Sequence, residues 1–323
     1  MGIMHTRSAI WLVSGLLLAA GCGPRAAETA PAAVEAEAAP ARVAVSGEAA
    51  LAEVRDFVAL GNRDAGTEGA KKAAVYLFDR LRALGVEAEI QEFSEASPRG
   101  ETVFRNVLGR IPGGDGRIVL LGSHYDTKAG IDGFEGANDS GSSTGLLLEL
   151  ARAFKATGPL GAEIRFAFFD GEECLEHYGP EDGFHGSRHL AAAMAADGSL
   201  SNVAALILLD MVGDRDLTIT IPRNSTPWLT ALAFEAARAE GVRKHFGLFP
   251  GMISDDHDAF LAQGVPAINM IDFEFGSAPG KNDYWHTAED ALDKVSAESL
   301  GIVGRVAARM AEEIARGAAG AEK

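Results

Sequence analysis

Residues 164–169 read "IRFAFF", and this apolar run stops abruptly at Asp170, Gly171, Glu172 and Glu173. A strand so apolar belongs in a sheet covered on both faces, which means helices on either side. In open sheets of that kind, ligands sit outside the carboxyl ends of the strands. The chain therefore carries three carboxylates to the place where α/β sheets do chemistry, and the remaining sequence has to supply the other layers and the partners of those charges.

Strand-like runs recur at 86–93, 103–111, 117–126, 163–170, 204–213, 217–221 and 265–271. Between several of them lie stretches with apolar residues at helical spacing, at 48–61, 67–85, 141–154, 186–194 and 226–241, and a last one closes the chain from Ser296 to about Arg316. Thr67 reads as the N-cap of the second helix and Gly85 as its stop. Strands alternating with helices predict a three-layer α/β/α sandwich around a mixed, mostly parallel sheet. A single catalytic domain over 47–319 is expected.

The first 22 residues are read as an export signal. His5 and Arg7 precede an apolar stretch from Ala9 to Ala20, too short to span a bilayer, and small residues then lead to Cys22 in the manner of a bacterial lipobox. Cleavage before Cys22 and lipidation there would tether the mature chain to a membrane of the bacterial envelope, in the periplasm. Residues 23–46 are mostly Ala, Pro and Glu and are expected to be a flexible tether. With two cysteines in 323 residues, disulfides cannot be the scaffold, and a formal net charge of −17 excludes a polyanion such as nucleic acid as partner.

The apolar runs share one property: they end in metal-ligating residues. "LLGSHYD" ends in His124 and Asp126, "GAND" supplies Asp139 before a helix, "FFDGEE" supplies Glu172 and Glu173, "ILLD" ends in Asp210, and "DYWHT" presents His286. Singly, each has a structural explanation as a helix cap, a dipole partner or a packed histidine. Together at one sheet edge they would repel unless a cation neutralised them. Imidazole and carboxylate without thiolate suit zinc, with other first-row metals possible. Adjacent side chains do not easily enter one coordination sphere, so Glu173 is read as ligand and Glu172 as proton carrier, with Asp170 and Asp126 orienting or capping. Cys174 is read as a small buried apolar residue rather than a nucleophile.

The segments "SHYDT", "GANDSG", "FFDGEE", "GSRHLA", "LLDMVG", "DDHDAF" and "WHT" resemble the zinc-dependent aminopeptidase superfamily, peptidase family M28. Within it the chain is more similar to the animal-type glutaminyl-peptide cyclotransferases, because "CLEHYGPEDGFH" intervenes between the acidic pair and the next helix and because Asp255 and Asp256 form a doublet before His257. The resemblance implies one Zn2+ on Asp139, Glu173 and His286. It implies Glu172 as acid/base in a hydrogen-bonded carboxylate network with Asp210 and Asp255, and N-terminal segments of peptides or proteins as substrate. It also implies a pocket bordered by Trp285, with Tyr178 where these enzymes usually have tryptophan and Ser254 where glutamine is common. Phe273 and Phe275 compete for the pocket wall. The alternative is a two-metal aminopeptidase in which His124 and Asp210 hold a second zinc and Asp139 bridges; both residues occur in either branch.

Overall fold

The computed structural model describes residues 11–12 and 42–317. The export signal, Cys22 and the tether as far as residue 41 therefore fall outside the described residues, apart from Trp11 and Leu12. Among the described residues there are eight strands: β1 (Glu87–Ser97), β2 (Gly100–Ile111), β3 (Ile118–His124), β4 (Glu163–Phe169), β5 (Val203–Asp210), β6 (Ile219–Pro222), β7 (Phe246–Phe249) and β8 (Ala267–Ile271). The helices are α1 (Gly47–Val58), α2 (Glu68–Ala83), α3 (Ser143–Thr157), α4 (His185–Ala196), α5 (Pro227–Ala239), α6 (His257–Leu261) and α7 (Ala297–Ala315).

Six strands make one sheet in the order β1-β2-β4-β3-β5-β8. Its inner half is parallel, β4 with β3, β3 with β5 and β5 with β8, while β1 and β2 run antiparallel at one edge. Alternate residues of each inner strand face opposite layers, as the two-residue period requires. Leu121, Phe166, Ile207 and Ile268 pack with α1, α2, α3, α5 and α7, whereas Leu120, Ala167, Leu206 and Ala267 pack with Leu190 and Met194 of α4 and Phe260 of α6. The α/β/α sandwich is thus built as the sequence predicts. The run at 217–221 is a strand, but it leaves the main sheet and pairs in parallel with β7, four residues too short to announce themselves.

The tether boundary is drawn too late in the sequence. Val43 is buried and its N–H donates to Glu312 Oε1 at 2.7 Å, and the Ser46 N–H donates to Glu149 Oε1 at 2.7 Å while its hydroxyl caps α1. Two valines and a capping serine interrupt the Ala/Pro/Glu composition, and residues 42–46 lie on the folded body. Thr67 caps α2 as expected, accepting from the Ala70 N–H.

The layer under the site depends on a close approach of α1 and α3. A Cβ at Gly145 would lie 2.5 Å from Val54 Cγ2 and 2.7 Å from the Val54 nitrogen, which is backbone and cannot turn away. Gly145→Ala is expected to lower stability to chemical denaturation by about 1–3 kcal/mol, the usual cost of overpacking. A denaturation midpoint equal to that of the parent would show that the two helices part freely.

Candidate metal centre

The carboxyl ends of β3, β4 and β5 lie side by side, so His124, the 170–173 turn and Asp210 converge although they are far apart in sequence. Gly171 makes the turn possible: its φ is +72°, and a Cβ there would meet the Phe104 ring at 2.6 Å. Asp170 is not in the cluster that follows; its Oδ2 accepts from the Arg105 N–H at 2.8 Å and fastens the turn to β2. Asp126 accepts from the N–H groups of Glu172 (3.2 Å) and Glu173 (3.1 Å), so it orients the acidic pair, the outer role assigned from sequence. Asp139 sits in the wide turn Ala137–Ser142 ahead of α3, beside a cis Asp139–Ser140 peptide.

Two donor sets share Asp139. His286 Nε2 lies 2.9 Å from Glu173 Oε1 and 3.4 Å from Asp139 Oδ2. His124 Nε2 lies 3.1 Å from Asp139 Oδ1 and 3.3 Å from Asp210 Oδ1. Zinc with nitrogen and oxygen ligands at about 2.0–2.1 Å in a tetrahedron sets neighbouring donors about 3.3 Å apart. Both sets match that spacing, and their donors are the types zinc takes, so the residues fit the metal. His286 and Met211, the residue after Asp210, hold φ of 54° and 46°, in the left-handed region that non-glycine residues adopt only where surroundings enforce it.

Electrostatics point the same way. Burial pushes Glu172 and Asp255 well above the usual carboxylate range, reinforced for Glu172 by Glu173 and for Asp255 by Asp210 and Asp256. Burial likewise raises Glu173 and Asp210. Burial alone would lower the two histidines, but carboxylate neighbours outweigh it, holding His124 well above its ordinary value and His286 up to about 10. Acids raised and imidazoles raised in one buried cluster mean that the site takes up positive charge, as protons or as metal.

The remaining predicted residues divide. Glu172 is buried and lines the cleft, and among the described residues it makes no hydrogen bond to either histidine. The Tyr178 hydroxyl lies 3.5 Å from Glu172 Oε1 and 3.4 Å from Glu173 Oε2. Trp285 and Phe273 line the cleft, a cavity of about 270 Å³, and pack with their rings tilted at 59° and centroids 5.4 Å apart. Phe275 does not: it is fully buried, packed on Tyr284 with Met211 and Ile271 behind the wall. The expected hydrogen-bonded trio also needs correction. Among the described residues no hydrogen bond joins Glu172, Asp210 and Asp255; Asp210 meets His124, and Asp255 accepts from Asn269 Nδ2 at 2.6 Å, so the three act on one another only through space.

Sequence reading missed three supports. Asp290 accepts from the N–H groups of Asn138 (2.6 Å) and Asp139 (3.0 Å), fixing the shared ligand; only its place four residues after His286 hints at this. Buried Arg63 donates to the carbonyls of Gly61, Tyr125, Glu135 and Gly136, binding together the loops that carry Asp126 and Asp139. Lys128 bonds to the Cys174 carbonyl, stands 3.1 Å from Cys174 Sγ and 3.7 Å from Glu173 Oε2. Cys174 is buried, as read, with Lys128 as its partner.

Comparison with known proteins places this geometry. The model of Peptidase family M28 matches residues 106–311. The chain is 29% identical over 274 residues to the glutaminyl-peptide cyclotransferase of Drosophila melanogaster, covering 76% of this chain and 75% of that one. It superposes on the crystal structure of Acidobacteriales bacterium glutaminyl cyclase with a TM-score of 0.81 and 37% identity, over 90% of this chain and 99% of that one. It also superposes on a Zn-dependent exopeptidase from Parabacteroides distasonis with a TM-score of 0.76 and 27% identity, over 85% and 99% of the two chains.

Proposed function

The chain belongs to peptidase family M28, and from that premise we propose that it is a zinc-dependent glutaminyl-peptide cyclotransferase, which converts the N-terminal glutamine of peptides to pyroglutamate with release of ammonia. The observation that carries this over an aminopeptidase is the segment at 174–184. It folds beside the acidic pair, with Asp182 accepting from the N–H groups of Leu175, Glu176 and His177, and sets Tyr178 on the cleft within reach of Glu172. The cavity this leaves is of single-residue size.

Asp139, Glu173 and His286 would hold one zinc, the set on the open side of the cluster, since the His286 side chain is 18% exposed and that of His124 only 2%. When bound, zinc supplies a Lewis acid that polarises the γ-carbonyl of the substrate glutamine. Glu172, raised by burial, takes a proton from the substrate α-amine. The amine nitrogen bonds to the γ-amide carbon, the bond from that carbon to its amide nitrogen breaks, and Glu172 returns the proton so that ammonia departs. Trp285 and Phe273 exclude water, which would otherwise compete as nucleophile. His124 and Asp210 remain a hydrogen-bonded pair in this reading rather than a second zinc site.

Metal analysis with parallel assays tests it. One zinc per chain, ammonia released from a Gln-peptide, and one zinc retained in Asp210→Asn are the expected results. Two zincs, a fall from two toward one in Asp210→Asn, and cleavage of an N-terminal Leu amide would make the protein an aminopeptidase. Residues 1–22 support a further proposal, export and lipid anchoring at Cys22, tested by the mass of the mature N-terminus; an unmodified mature chain overturns it.

A further inference from the structure

Asp126 fixes the N–H groups of Glu172 and Glu173, but each carboxylate has two oxygens, and the backbone does not decide which of them faces its partner. One hydroxyl stands between the two side chains. The Tyr178 oxygen lies 3.5 Å from Glu172 Oε1 and 3.4 Å from Glu173 Oε2, a shared position rather than a short bond to either. Lys128 Nζ stands 3.7 Å from the same Glu173 Oε2, while Glu173 Oε1 faces His286 Nε2 at 2.9 Å. Among the described residues, Oε1 is the Glu172 carboxylate oxygen that has a hydrogen-bond partner, and Oε2 has none.

The surroundings hold that hydroxyl in place. Tyr178 is half-exposed, yet its ring stacks on Phe184 with centroids 4.7 Å apart and lies over Gly183, where a Cβ would stand 2.5 Å from Tyr178 Cδ1. Asp182 gathers the N–H groups of Leu175, Glu176 and His177, and Arg188 Nη1 donates to the Gly179 carbonyl at 2.9 Å, so the chain is tied down on both sides of Tyr178. A phenol, ordinarily of pKa about 10, keeps its proton at neutral pH and has one to donate. We propose that Tyr178 is a positioning residue that assigns each glutamate its reacting oxygen: by holding Glu172 Oε1 and Glu173 Oε2, its hydroxyl leaves Glu172 Oε2 to the substrate amine and Glu173 Oε1 to the metal. The inference rests on the cyclotransferase reading. A carboxylate is planar and rigid, so holding one oxygen turns the other the opposite way. With one proton for two acceptors, the hydroxyl needs a second donor, and Lys128 supplies it on the Glu173 side.

The test sets Tyr178→Phe and Tyr178→Leu beside the parent protein, with kcat and KM for a Gln-peptide measured at saturating zinc and zinc affinity measured by competition with a chelator. Tyr178→Phe keeps the ring and removes only the hydroxyl. Its kcat is expected to fall about tenfold, the low end of what a hydrogen bond to a charged group contributes, with KM unchanged to within about twofold. Its zinc affinity is expected to fall about tenfold as well, the low end for a lost outer partner, because Lys128 still holds Glu173 Oε2. Tyr178→Leu, which removes the ring too, raises KM in addition. A residue that served only as cleft wall would make Tyr178→Phe equal to the parent, so an unchanged kcat or an unchanged zinc affinity overturns the inference while leaving the cyclotransferase standing. A parent protein that releases no ammonia from the Gln-peptide overturns the cyclotransferase and the inference with it.

Discussion

Glu172→Gln retains zinc and loses turnover by about a hundred- to ten-thousand-fold, the range typical when a positioned acid/base is removed. The amide has the shape of the carboxylate and still meets the Tyr178 hydroxyl, so the cleft keeps its form; what it lacks is the ability to take a proton from an amine and return it. The two neighbouring glutamates must therefore differ in kind. Glu173 Oε1 faces His286 Nε2 at 2.9 Å, whereas Glu172 touches neither histidine, so Glu173→Gln should weaken zinc binding and Glu172→Gln should not. Metal content and kcat measured on the same preparations decide the matter, and near-normal turnover in Glu172→Gln with bound zinc would mean the proton travels elsewhere.

Asp139→Ala is the other variant of large effect, because Asp139 alone serves both donor sets, Oδ1 toward His124 and Oδ2 toward His286. Zinc and activity should be lost together, and the thermal midpoint should become insensitive to added zinc. In the parent protein the midpoint should rise with zinc, since a ligand that binds only the folded chain at about a hundred times its Kd adds about 2.7 kcal/mol. His124→Ala, by contrast, should retain one zinc and its thermal response, as His124 belongs only to the inner set. An Asp139→Ala protein that still binds a full equivalent of zinc would remove Asp139 from the centre of the site.

Much of this architecture was legible in the chain because the governing signals are local. The apolar runs of β3, β4 and β5 must be buried on both faces, and a strand buried on both faces requires helices over each, so the sandwich follows from a few residues of periodicity. That His124, Glu172, Glu173 and Asp210 end or flank those runs is likewise a fact of sequence, as is the delivery of Asp139 just before a helix and of His286 in a loop, and strands that share a direction bring their carboxyl ends to one edge. Phe273 and Phe275 show where such reading stops: both lie in the irregular stretch after β8, where no period assigns a face, and only one reaches the cleft. β7 escaped for a similar reason, since a four-residue strand carries no pattern of its own.

The sequence by itself determined which chemistry was available, five separated segments each delivering an imidazole or carboxylate, because residue type and strand direction are properties of the chain. Only the tertiary structure decided how those groups are shared out. The strand order β4-β3-β5 sets Asp139 between His124 and His286, and Asn269 on β8 draws Asp255 into a bond of its own instead of one with Asp210. Which oxygen faces which nitrogen turns on separations of about 3 Å between residues up to 147 positions apart, the span from Asp139 to His286, and these are fixed by packing rather than by spacing along the chain.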